Sequence, residues 1–148
     1  MIIPQLIIGS ILISITVVIH AVCLDFLIRW IEKSKNTARL ILKTQWKMPL
    51  IVIAVLGVFL AHIIEIWVWA IFYLLINVPE ITDFEEALYF STSSFTTVGF
   101  GDLFLAKENW RLVSSFQAAN GFILFGWSTA FIFEIIKKLY EDDSPDVT

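Results

Sequence analysis

Charge is scarce here: only 16% of the 148 residues are Asp, Glu, Lys or Arg, against roughly 25% in ordinary soluble domains. Cysteine is scarcer still. The single Cys23 excludes an intrachain disulfide and any cysteine-based metal framework. Four prolines and six glycines leave no room for a Pro- or Gly-rich linker, and neither internal repeats nor a second domain can be discerned. A formal charge of -4 gives no electrostatic footprint for nucleic acid. No spacing of Ser, Cys, His or acidic residues suggests an enzyme, a cofactor or a small-molecule substrate.

What the chain has in excess is apolar surface. It is 58% hydrophobic and 15% aromatic, with a mean hydropathy of +0.82, which marks a membrane protein. A helix needs about 20 apolar residues to cross a bilayer core of roughly 30 Å. Three stretches meet that length, approximately residues 2–28, 49–78 and 110–138. The first is too long for a secretory signal and has no basic leader, so it is expected as a true span. Arg29, Lys33, Lys35, Arg39, Lys43 and Lys47 crowd the stretch 29–48, where Glu32 is the sole acid, whereas residues 77–109 hold only Lys107. The positive-inside rule therefore places the basic loop and the carboxyl terminus in the cytoplasm and the amino terminus outside. Trp30, Trp46 and Trp110 fall near the two interfaces, where indole rings favour the headgroup level. The acidic stretch 139–148 is expected as a cytoplasmic tail, with no regulatory domain after it.

Between the second and third spans lies "ITDFEEALYFSTSSFTTVGFGDLF". Thr82 or Asp83 caps a helix with Glu85 or Glu86 in its first turn, and the apolar and small residues that follow predict a helix over 84–95. Twelve residues at about 1.5 Å each reach roughly 18 Å, half of a bilayer. The chain must dip in and return. Non-helical backbone at that depth is tolerated only where it is buried in protein or lines a water-filled path. Gly99 and Gly101 are spaced so that alternate residues can take left-handed dihedrals at little cost, which would turn successive carbonyls toward one axis.

The sequence "TTVGFGD" resembles the potassium-channel selectivity filter, T-V-G-Y-G-D, and the resemblance extends over residues 49–138. It implies an all-α membrane protein with three transmembrane helices, a re-entrant pore helix (84–95) and a filter loop (96–102), the last following an outer helix (49–78) and preceding an inner helix (110–138). Residues 1–28 would be a peripheral addition, without the spaced arginines of a voltage sensor. The implied function is passive, potassium-selective flux through a homotetramer in the plasma (inner) membrane. A weakly selective monovalent cation channel and a non-conducting subunit that modulates other channels are the alternatives. Potassium would bind at Thr97, Val98, Gly99 and Phe100, with Gly101 completing the strand, and Tyr89, Phe90, Ser93, Thr96 and Asp102 supporting it. Phe100 stands where the usual filter has Tyr, and Ser93 where the bacterial prototype has a glutamate facing the residue matching Asp102. A weakened support around the filter is the expectation.

Gly121 occupies the place of the inner-helix gating hinge and Gly126 follows five residues on. Phe125, Thr129 and Phe133 repeat every four residues and are candidates for the lower pore, Phe133 as a hydrophobic constriction, with ordinary helix packing as the competing reading. Gln117 and Asn120 suit either interhelical hydrogen bonds or cavity lining. His62 and Glu65, i and i+3, form a candidate pH-sensitive pair, while His20 is expected as a polar helix contact. Asp25 with Arg29, and Glu134 with Lys137 and Lys138, are expected as boundary ion pairs.

Overall fold

A computed structural model describes residues 2–105 and 110–141; Lys107 and residues 142–148 of the acidic tail lie outside the described residues. All regular structure among them is helical. The chain runs α1 (Ile2–Leu42), a short 3-10 turn (Lys43–Gln45), α2 (Lys47–Leu75), α3 (Phe84–Phe95) and α4 (Arg111–Glu141). Helices α1, α2 and α4 are each long and apolar enough to cross a membrane.

The basic stretch 29–48, expected as a loop, continues α1 as far as Leu42. Residues 29–42 contain neither Gly nor Pro, and Ile31 is buried, so nothing breaks the helix where hydropathy falls. At about 1.5 Å per residue α1 is some 60 Å long, twice the hydrocarbon core. The reversal comes at Lys43, whose φ is 47°, and Trp46 then closes the hairpin beneath Arg39, whose guanidinium lies 4.3 Å from the indole centroid. Leu24, Leu27 and Ile31 of α1 pack with Leu50, Ala54 and Val58 of α2 and Ile135 and Leu139 of α4.

A second core lies at the other end, around Trp69, Tyr73, Phe90, Phe95, Val113 and Leu124. It wedges α3 between α2 and α4. Asn77, at φ 47°, ends α2 two residues before Pro79, where the Ile76 N–H donates to the Phe72 carbonyl at 3.2 Å. At the start of α3 the Asp83 carboxylate accepts from the Glu86 N–H at 2.9 Å. Glu86 returns the contact by accepting from the Thr82 N–H at 2.8 Å and from its hydroxyl at 2.9 Å. These reciprocal bonds satisfy donors that would otherwise be orphaned at a helix start.

Candidate ion-conducting site

Helix α3 ends at Phe95, and its final carbonyls capture the backbone that follows. Thr96 N–H donates to the Thr92 carbonyl at 3.0 Å, Thr97 N–H to Ser94 at 3.0 Å, and Val98 and Gly99 N–H both to Ser93 at 3.1 and 3.2 Å. Phe100 N–H reaches the Ser93 hydroxyl at 3.4 Å. The donors of residues 96–100 are thus directed back at α3. Among the described residues no donor is directed at the carbonyls of Thr97, Val98, Gly99 or Phe100. Backbone oxygens must find partners somewhere, and here the strand leaves them for whatever lies on its free side.

The dihedrals have the expected alternation. Positive φ occurs at Thr97 (60°), Gly99 (54°) and Gly101 (80°). The two glycines adopt it freely, whereas Thr97 carries a Cβ and accepts a cost of roughly 1–2 kcal/mol. Its strain is offset by the bonded α3 terminus.

Two contacts surround this strand. The Tyr89 hydroxyl donates to the Asp102 carboxylate at 2.6 Å, and the Tyr89 ring stacks on Phe100 with centroids 6.2 Å apart and planes 10° from parallel. The partner of Asp102 is therefore a phenol on the helix one turn before Ser93, while Ser93 itself holds the Phe100 N–H. The Tyr89 hydrogen bond, with the N–H groups of Asp102 and Leu103, holds the Asp102 carboxyl below its usual range against the opposing effect of desolvation. Phe90 turns the other way, into the core against Tyr73. Behind the strand a groove of ≈ 310 Å³ is lined by Ser93, Ser94, Gly99, Gly101, Ser114 and Ser115 among others.

Helix α4 is fixed to this assembly by buried polar contacts. Gln117 accepts from the Tyr73 hydroxyl at 2.9 Å and donates to the Ser91 hydroxyl at 2.7 Å and carbonyl at 3.1 Å. Ser91 in turn donates to the Ile66 carbonyl at 2.8 Å. One amide joins three helices. Asn120 donates to Thr16 on α1 at 2.7 Å. Both residues are interhelical bonds, and neither is exposed. A Cβ on Gly121 would collide with the Phe95 carbonyl oxygen, so this glycine lets α4 approach the end of α3. Gly126 faces open space. Phe125 packs between the His62 and Phe95 rings, whereas Thr129 and Phe133 are exposed. The three residues of the four-residue repeat therefore do not share one environment.

Residues 59–138, more than half of the chain, match a family model described as "Ion channel", a family of two-helix channels that includes potassium-channel pore domains. The chain belongs to this ion-channel family. No curated protein and no solved structure matches it. The match takes in the second half of α2, all of α3, the glycine-containing strand and nearly all of α4. Helix α1 lies outside it.

In this channel α1 is nevertheless tied to the matched region at a point deep among the spans. His20 Nδ1 lies 2.7 Å from Glu65 Oε1, and His62 Nδ1 lies 2.9 Å from Glu65 Oε2. Ser128 Oγ lies 2.9 Å from His62 Nε2 and 3.3 Å from His20 Nε2. The pairing of His62 with Glu65 follows from their i, i+3 spacing. The participation of His20, 45 positions from Glu65, could not be read from any local pattern; a lone histidine in an apolar span was the only signal. At the boundary Arg29 donates to Asp25 at 2.8 Å, as the spacing predicts, but Lys137 pairs with Glu141 at 3.7 Å rather than with Glu134.

Proposed function

We propose that this ion channel is a homotetrameric, potassium-selective pore that passes ions passively down their electrochemical gradient. The observation that carries the reading is the strand at 97–101. The N–H groups of Thr97 to Phe100 are spent on α3, the carbonyls of the same residues are uncommitted, and the φ angles alternate in sign, the arrangement with which backbone oxygens replace a cation's water shell. Thr97, Val98, Gly99 and Phe100 are the ligands in this reading, and Gly101 completes the strand. The C-terminal end of α3 adds the partial negative charge of a helix terminus, which favours a cation nearby.

One chain supplies one strand, so a ring of oxygens needs several copies about an axis, and closed cyclic symmetry meets that need. The amino terminus is outside and the basic end of α1 is cytoplasmic, by the distribution of Lys and Arg. The test is ion flux from liposomes containing the purified protein: potassium flux should exceed sodium flux by about an order of magnitude or more, and Gly99→Ala, which forces a Cβ into a left-handed position, should abolish that preference. Equal fluxes of the two ions in the unaltered protein would reject potassium selectivity.

A further inference from the structure

Two histidines and a glutamate that share one point inside a membrane call for a reason beyond packing. His20, His62 and Glu65 come from α1 and α2, and their ligand atoms all lie within 4.8 Å of one another. The side chains of His20 and Glu65 are fully buried, and that of His62 is 7% exposed. Both rings aim Nδ1 at the carboxylate and Nε2 at one hydroxyl, Ser128. A serine oxygen has two lone pairs and one proton. The arrangement in which both rings donate Nε2–H to Ser128 uses both lone pairs and treats the rings alike. It leaves both Nδ1 atoms as bare electron-pair donors facing the two carboxylate oxygens, which are donors as well. In that tautomeric form the two Nδ1 atoms and a carboxylate oxygen can hold a cation between them.

We propose that His20, His62 and Glu65 form a binding site for a divalent transition-metal ion of the zinc class, with Ser128 on the inner helix α4 orienting both imidazoles. Two histidine nitrogens and a carboxylate are a zinc donor set, with bonds of about 2.0–2.2 Å to nitrogen and oxygen; such neutral imidazole and carboxylate ligands suit zinc-like ions rather than the soft ions that thiolates select. Around a tetrahedral ion those bond lengths place neighbouring ligand atoms about 3.3 Å apart. The 2.7 and 2.9 Å separations would open by about half an ångström, a small rotation of the carboxylate. His62 also lines an apolar pocket of ≈ 410 Å³ together with Phe59, Ile63, Ile66, Trp67 and Phe125. Water or an anion from that side fills the fourth position, and hydroxide there brings a dication with one carboxylate to neutrality. Ser128 holds the rings through their second nitrogens, the role that fixes ring orientation in metal-bound histidines. The site joins α1 to α2 and presses on α4, so a bound ion would pin the helix outside the family match to the helix that lines the proposed pore. The inference stands whichever cation the pore conducts.

The experiment uses the full chain, purified, stripped with a chelator, equilibrated with zinc chloride, washed, and assayed for metal by elemental analysis. About one zinc per chain is expected, and Co(II) in its place should give the intense visible bands of a four-coordinate site. Glu65→Gln and His62→Gln should retain less than about one-tenth of that metal, and Ser128→Ala should bind roughly 10–100-fold more weakly. Should the glutamate or histidine variants fail to fold, the stoichiometry and cobalt spectrum of the unaltered protein decide alone. Folded, unaltered protein that takes up well under one zinc per chain, or a Glu65→Gln variant that binds as much as its parent, would overturn the proposal.

Discussion

Asp102 shows how one contact can stand in for another. It sits at the C-terminal end of the strand with the Tyr89 hydroxyl 2.6 Å away, a distance typical of a charge-assisted O–H···O⁻ bond. Because the folded-state pKa of Asp102 is depressed, the contact contributes in full above the ordinary carboxylate range and is lost as pH falls through the depressed value. At neutral pH the strand is therefore held. Tyr89→Phe removes this contact at every pH, so ion flux should already be lower at neutral pH and should lose the part of its pH dependence that protonation of Asp102 causes in the parent. Flux measured against pH in both forms checks this; superimposable curves would show that Tyr89 does not support the strand. The Phe100 ring, stacked on Tyr89, needs no hydroxyl for that packing.

At the scale of elements, the tightest constraint is where α4 crosses the end of α3. Gly121 makes the crossing possible, since any Cβ there meets the Phe95 carbonyl, and the Gln117 amide lies one turn away bridging Tyr73 and Ser91. Gly121→Ala should therefore destabilise the fold by about 1–3 kcal/mol, as overpacking does, seen as a lower thermal midpoint. A substitution that acted only by stiffening a hinge would leave that midpoint unchanged or raised, because Ala is the better helix former. Helix α3 itself was legible in advance, from a capping pattern before a short apolar run and from a length that spans half a bilayer. The extent of α1 was not: hydropathy drops at Arg29, but a helix ends where its backbone is broken or capped, and residues 29–42 hold no breaker.

For the whole molecule, the proposed assembly makes the permeant ion a structural ligand. An ion that binds only the assembled form stabilises it by RT ln(1 + [L]/Kd), about 2.7 kcal/mol at a hundredfold excess over Kd. The oligomer should accordingly survive to a higher temperature in potassium than in sodium at equal ionic strength, with the difference falling as potassium is diluted. Thermal dissociation followed by gel electrophoresis measures it, and equal midpoints in the two salts would contradict ion binding by the assembled strands.

By itself the sequence determined the membrane class, the three spans, the half-length helix and the strand with alternating left-handed positions. Each of these is a local property, set by hydrophobic run length, by capping residues or by the absence of a Cβ at Gly99 and Gly101, and local properties are written in consecutive residues. Only the tertiary structure decided the partners. Tyr89 reaches Asp102 across the turn of the strand, Asn120 reaches Thr16, 104 positions away, and His20 reaches Glu65 and Ser128. Such meetings depend on how helices rotate and cross when packed, and that is settled by side-chain volumes distributed over the whole chain rather than by any stretch of it.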